Sequence, residues 1–202
     1  MRRIVLLLGF CTCLAVAGSN PMWDNVRSSY LDLKTLSGYF KETICSGNQG
    51  SCLEFNGRFA ISVPDRYRIE VTEGTQQLFV SDGTTLWIYI PKLKQVMKRS
   101  GGGFAPVLAF LQPVLDSTVS VEVAKDSTGK YVVKALVEDE MSAMQDLVLE
   151  LSDDGTLITG FSFTDGTGQK FHFSFSDQQW NTELDATMFK FTPPKGVTIV
   201  KE

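Results

Sequence analysis

The sequence predicts a mainly β fold: one large, strongly curved antiparallel sheet with only two substantial helices. Three features carry that prediction. Apolar and polar residues alternate with a period of two through many short segments, as in Phe59, Ile61 and Val63 or Phe171, Phe173 and Phe175. Turn residues recur between those segments, at Asp82-Gly83, Ser127 to Gly129, Asp153 to Gly155 and Asp165 to Gly168. Helical spacing of apolar residues, by contrast, is confined to two places.

The chain opens on a targeting signal. Arg2 and Arg3 precede the apolar run "IVLLLGFCTCLAVA", and Ala15-Val16-Ala17 offers the small residues a signal peptidase accepts, so residues 1–17 are expected to be removed and 18–202 to form a single domain. The apolar run is shorter than the ~20 residues of a spanning helix. Neither Cys11 nor Cys13 has the Leu-small-small-Cys context of lipid attachment. Removal of Arg2 and Arg3 takes the formal charge from −4 to −6, which disfavours a nucleic-acid or anionic-membrane partner held by bulk charge. It also leaves Cys45 and Cys52, flanking "SGNQGS", as the two remaining cysteines. In an oxidising compartment this pair is expected to close a disulfide across a hairpin. A redox or metal site is the alternative, disfavoured because the spacing is not CxxC and the single histidine, His172, is remote.

In the mature chain, Met22, Val26, Tyr30 and Leu33 lie at helical spacing, with Trp23 widening the stripe, and predict an amphipathic helix over 21–36. Strands "GYFKETIC", "CLEFNGRFAISV", "RYRIEVT" and "QLFVS" follow, then the hairpin "SDGTTLWIYIPKLKQVMKR". The run Gly101 to Gly103 reads as a hinge, and "FAPVLAFLQPVL" behind it as a short helix interrupted or turned at Pro113. Five more strands precede a tail, "TELDATMFKFTPPKGVTIV", with one helical turn and a last strand. The total is eleven or twelve antiparallel strands. A face eight to ten strands wide, at ~4.8 Å per strand, is too broad for two helices to cover, so the sheet either curls nearly closed or leaves apolar surface for a ligand. The 85–90 strand sharpens the problem, because Trp87 and Tyr89 share one face while Leu86, Ile88 and Ile90 share the other, and neither set is polar.

Catalytic patterns are missing. There is no HExxH, GxSxG, P-loop or GxGxxG. His172 alternates with Phe171 and Phe173 and so points away from them, as a sheet residue rather than a base. Glu138-Asp139-Glu140 and Asp153-Asp154-Gly155 read as solvated turns, and Lys92, Lys94, Lys98 and Arg99 as a strand edge guarded by charge. No enzyme, cofactor or metal is expected.

Several blocks resemble one family in the same order. "SDGTTLWIYIPKLKQV" is similar to the signature hairpin of the periplasmic lipoprotein carriers, the LolA-like proteins. "FKET" resembles their early Phe-x-Gln segment with Glu42 in place of glutamine, "GRFAISVPDRYRIEV" their Gly, strand, Pro and aromatic-turn segment, and "FTPPKGVTIV" their C-terminal ending. The resemblance implies an unclosed antiparallel half-barrel of about eleven strands, with an N-terminal helix and a short lid helix covering a concave apolar face. It implies a carrier that takes acylated lipoproteins from an inner-membrane ATP-driven release complex, shields their acyl chains across the periplasm and delivers them to an outer-membrane acceptor lipoprotein. A carrier of another lipid, or a periplasmic lipid-sensing regulator of the same fold, is the alternative reading, and a monomer is expected.

On this reading Phe59, Ile61, Val63, Tyr67, Ile69, Phe161, Phe163, Phe171 and Phe173 belong to the lipid cavity, and Phe104, Leu108 and Leu111 to the lid. The sequence departs from the family at Val63, where many members carry an arginine before the proline that helps tune lid closure. Arg66 and Arg68 are nearby, but a period of two places them on the opposite face.

Overall fold

The computed structural model describes residues 20–46, 50–101, 103, 111, 114–115, 120–136 and 144–201. The predicted signal peptide, 1–17, and the lid residues Phe104 and Leu108 lie outside the described residues. Helix α1 spans Pro21–Leu31 and is followed by β1 (Thr35–Cys45), β2 (Cys52–Ser62), β3 (Arg66–Glu73), β4 (Gln77–Asp82), β5 (Thr85–Ile90) and β6 (Gln95–Ser100). The second half comprises β7 (Ser120–Lys125), β8 (Tyr131–Leu136), β9 (Gln145–Leu151), β10 (Ile158–Thr164) and β11 (Lys170–Trp180), and β12 (Thr198–Lys201) ends the chain. The described strands form one unclosed sheet in the order β12-β6-β5-β4-β3-β2-β1-β11-β10-β9-β8-β7. Its two hairpin-built halves meet where β1 pairs with β11.

Turn chemistry sets the registers. In the turns after β7 and β10, Asp126 and Asp165 each accept through Oδ1 from the backbone N–H and hydroxyl of the threonine two residues on, and from the N–H four residues on. The same "D-x-T-G" chemistry thus folds both hairpins. The signature Ser81-Asp82-Gly83 does more than turn the chain. Ser81, fully buried, donates through Oγ to the Asp65 carbonyl at 2.7 Å, tying the β4–β5 turn to the β2–β3 turn. Asp82 caps its own turn by accepting from the backbone N–H groups of Thr84 and Thr85. Gly83 has φ +94°, and a Cβ there would come within 2.9 Å of Asp65 Oδ1, so both its conformation and its neighbour require glycine.

Helix α1 starts on Asn20, whose Oδ1 accepts from the Met22 and Trp23 N–H groups, with Pro21 in the first turn. It ends at Leu31 rather than near residue 36, as the apolar spacing predicted. Leu33 and Leu36 are buried for a different reason: they lead into β1 and pack with Phe59, Ile61 and Tyr67. Contacts beyond the helix draw the chain into the sheet there, since Lys34 N donates to Asn181 Oδ1 and Thr35 Oγ1 to the Thr182 carbonyl. Trp23, Val26 and Tyr30 lie on the concave face of β8–β10, in one cluster with Val133, Leu149, Leu151, Ile158 and Phe161. Residues 111, 114 and 115 are helical, and Leu111, Val114 and Leu115 are buried in this same cluster.

The two apolar faces of β5 have different covers. Register places Ile88 opposite Phe79, which in turn lies opposite Ile69, on the concave side. Trp87 and Tyr89 are on the convex side with Val80 and Val96. There the chain's own C-terminal segment packs over them. Phe191 lies 5.8 Å from the Trp87 ring and 6.0 Å from the Tyr89 ring, and the 3-10 turn Ala186–Phe189 lies on β3 and β4. This crossing also explains one departure from expectation, a last strand that pairs parallel, β12 with β6. The segment leaves β11 in mid-sheet, passes behind β1–β5 and reaches the edge as a crossover rather than a hairpin.

Candidate functional site: an apolar cavity on the concave face

Among the described residues the helices cover the β7–β11 half of the concave face and leave uncovered the part from β1–β4 across to the outer rings of β10 and β11. An apolar cavity of about 470 Å³ lies there, within the roughly 300–1,000 Å³ of small-ligand sites. Phe40 from β1, Phe59 from β2, Ile69 and Val71 from β3 and Phe79 from β4 form one wall. Phe163 from β10 with Phe171, Phe173 and Phe175 from β11 form the other. The rings hold one another in place. Phe163 stacks on Phe171 at 4.8 Å, Phe173 on the buried Phe161 at 4.6 Å, and Phe175 meets Phe59 edge-on at 5.8 Å. Gly57 admits the Phe40 ring, since a Cβ there would fall on that ring and on the Glu70 carbonyl.

Two carboxyls reach this otherwise apolar lining, Glu42 and Asp165. Asp165 is engaged by its turn, and the Thr167 hydroxyl and neighbouring N–H groups hold it below the usual carboxylate range. Burial pushes the Glu42 carboxyl up.

Of the residues expected at the cavity, Phe59, Ile69, Phe163, Phe171 and Phe173 line it. Ile61, Tyr67 and Phe161 lie on the same face but are fully packed, the first two with Leu33 and Leu36, the third beneath α1. Val63 is half-buried against the Leu36–Phe59 cluster and does not line the cavity. Arg66 donates to Ser62 Oγ and lies 5.7 Å from the Phe189 ring on the convex side, and Arg68 lies 3.7 Å from Glu70, so neither takes the place of an arginine at 63. Leu111 packs among Trp23, Val26 and Val114. The sequence did not place Phe40, Val71, Phe79, Phe175, Glu42 or Asp165 at the cavity. Val71 and Phe175 continue alternations visible in the sequence, whereas Phe40 stands between Gly38 and Glu42 on its face of β1 and Phe79 between Gln77 and Ser81 on its face of β4, so neither belongs to an apolar alternation.

His172 is on the convex side, its Nε2 2.9 Å from Glu150 Oε1. Among the described residues no group of three or more His, Cys, Asp or Glu is arranged to hold a metal ion. No described helix is long and apolar enough to cross a membrane. The Cys45–Cys52 disulfide closes the tip of the β1–β2 hairpin, one end of which borders this cavity.

The model of the family described as outer membrane lipoprotein carrier protein LolA matches residues 32–192, spanning every strand that lines the cavity. The chain belongs to this family. Its LolA-family relatives include the outer-membrane lipoprotein carrier protein of Methylibium petroleiphilum, 27% identical over 206 residues and covering all of both chains. The Chromobacterium violaceum protein of the same name is 31% identical over 172 residues, 83% of this chain and 81% of that one. Among solved structures, an uncharacterized conserved protein from Thermus thermophilus superposes with a TM-score of 0.56 at 13% identity, covering 90% of this chain and 97% of the other. A chain of the Pseudomonas aeruginosa MucA/MucB complex gives 0.50 at 18% identity, over 86% of this chain and 62% of its own. These likenesses are of fold.

Proposed function

We propose that this LolA-family protein is a periplasmic carrier that shields the acyl chains of lipoproteins and shuttles them from the inner to the outer membrane, with no catalytic step. The open phenyl-lined cavity carries the reading. Each methylene moved from water into such a site contributes about 0.8 kcal/mol, so ten of them supply about 8 kcal/mol before the costs of association. The site offers acyl chains an apolar surface, and the single histidine, His172, is turned away from it and pairs with Glu150. Cargo arrives from an ATP-driven release complex of the inner membrane and leaves to an outer-membrane acceptor lipoprotein, and residues 1–17 direct export. On this reading Phe104, Leu108 and Leu111 act as the lid over bound acyl chains.

Native mass spectrometry of the mature protein, taken gently from a periplasmic extract, tests this. An acylated lipoprotein is the expected ligand, and the Phe173→Glu variant, which sets a charge among the cavity rings, should be isolated empty. A different lipid would redirect the reading to another cargo. An empty wild-type cavity that also refuses acylated peptide would overturn it.

A further inference from the structure

Glu42 is out of keeping with its surroundings. It follows Phe40 by two residues on the concave face of β1, opposite Phe173 on β11 and Phe55 on β2. No hydrogen bond or ion pair to its carboxyl is made by any described residue. Its neighbour Lys41 faces the other side and pairs with Glu54 at 2.8 Å. The contrast with Asp165 is informative: Asp165 Oδ1 takes the Thr167 N–H at 2.8 Å, the Thr167 hydroxyl at 2.7 Å and the Gln169 N–H at 2.9 Å, so it is built into its turn. Glu42 serves no turn, cap or ion pair.

Glu42 is only half-buried, so in the absence of ligand its carboxyl can hydrogen-bond to water. When acyl chains enter, they displace the water, and an acceptor left without a partner in an apolar site opposes binding. A purely aliphatic ligand cannot answer this. A ligand with an N–H donor beside its chains can, through a charge-assisted hydrogen bond. The location suits such a junction. Beyond Glu42 the same face continues through Ile44, opposite Phe171, to the disulfide-closed tip, where Leu53 is 64% exposed, while on its other side lie Phe40, Phe59, Phe79 and Phe175. Chains placed among those four rings leave their head group near Glu42.

We propose that Glu42 determines cargo specificity by accepting a hydrogen bond from the nitrogen at the acylated amino terminus, either the N–H of an N-acyl amide or a free ammonium. The inference rests on the carrier reading and deepens it. Three synthetic probes test it: a dipalmitoylglyceryl-cysteine peptide with a free amino terminus, its N-palmitoyl amide, and the N-methyl-N-palmitoyl form, which keeps the chains but has no N–H at that nitrogen. Glu42→Leu should weaken binding of one or both N–H probes about 10-fold or more relative to its effect on the N-methyl form, which reports the general effect of an apolar residue at 42. Wild-type protein should also prefer the N-palmitoyl amide to the N-methyl form, which has the same chains, if the amide is the partner. A loss confined to the free-amine probe assigns an ammonium, and a loss confined to the N-palmitoyl probe assigns the amide. Glu42→Gln, which retains a carbonyl acceptor, should keep the preference for the amide. If Glu42→Leu discriminates among the probes as wild type does, while Phe173→Glu binds none, the inference is overturned and the carrier reading stands. If wild type binds none of the three, both fall.

Discussion

Ser81 and Glu42 are both polar residues in apolar surroundings, and the difference between them is whether the protein supplies a partner. Ser81 Oγ donates to the Asp65 carbonyl and accepts the Gly83 N–H, so two turns meet on one hydroxyl. Ser81→Ala leaves both of those backbone groups short of a partner, and should lower the unfolding free energy by about 1–3 kcal/mol in urea titration, without changing its slope. Glu42 has the opposite character. Burial raises its folded-state pKa above the unfolded value, so the folded chain binds the extra proton and stability falls as pH rises from the unfolded value through the folded one. The cost is complete above the folded pKa and absent below the unfolded one, near pH 4. Glu42→Gln should therefore melt higher than wild type at pH 7, with the gap closing as pH falls towards 4. The gain is expected to be small because the group is partly exposed and screened by solvent. A gap that is constant with pH would exclude the electrostatic cause.

At the scale of elements, the β1–β2 hairpin and the C-terminal crossover solve opposite problems. The hairpin runs past its neighbour: β2 pairs with β3 only from Asn56 onwards, so among the described strands only β1 pairs with Cys52 to Phe55. The Cys45–Cys52 bond, closing a separation of seven residues, holds this projecting end. Loop-closure entropy for so short a loop is about 2–3 kcal/mol. The paired substitution Cys45→Ser with Cys52→Ser should cost about that much in denaturant unfolding, and leave the circular-dichroism signature of the sheet intact. The crossover instead covers what would be exposed. Trp87 and Tyr89 would give the sheet a second apolar face to water, and the segment from Ala186 to Phe191 takes that place. Nothing local in "TLWIYI" indicates its cover, because the covering residues lie about a hundred positions away. The early end of α1 has a similar origin: Leu33 continues the helical spacing but is buried by the sheet, on which the Asn181 and Thr182 contacts hold Lys34 and Thr35.

For the molecule as a unit, the decisive fact is an asymmetric filling of one curved surface. The sheet ends in two edges, β12 and β7, and does not close. Among the described residues, α1 and the helical residues near Leu111 occupy the β7–β11 half of the concave side, leaving the β1–β4 half and the outer rings of β10 and β11 to form the cavity. A ligand that fills this space binds the folded chain alone, so loading should raise thermal stability. At a free concentration of 100 Kd the gain is about 2.7 kcal/mol, or about 5–11 °C for a domain of this size. Scanning calorimetry with an acylated peptide, against the same peptide without its chains, checks this, and an equal response to both would count against the cavity as the site.

The strands, their turns and the face on which each phenylalanine stands are legible in the order of residues, because they follow from a period of two and from local backbone chemistry at residues such as Asp126, Asp165 and Gly83. The family is legible there too, through the Ser81-Asp82-Gly83 hairpin and the blocks around it. Which residues of that face are lining and which are core is settled only by the packed molecule. Phe161 and Phe163 are equivalent in alternation and both buried, yet the first is sealed beneath α1 and only the second reaches the cavity. Burial on a shared face depends on where a distant helix docks and how far the sheet bends, and neither is encoded in the spacing of a strand.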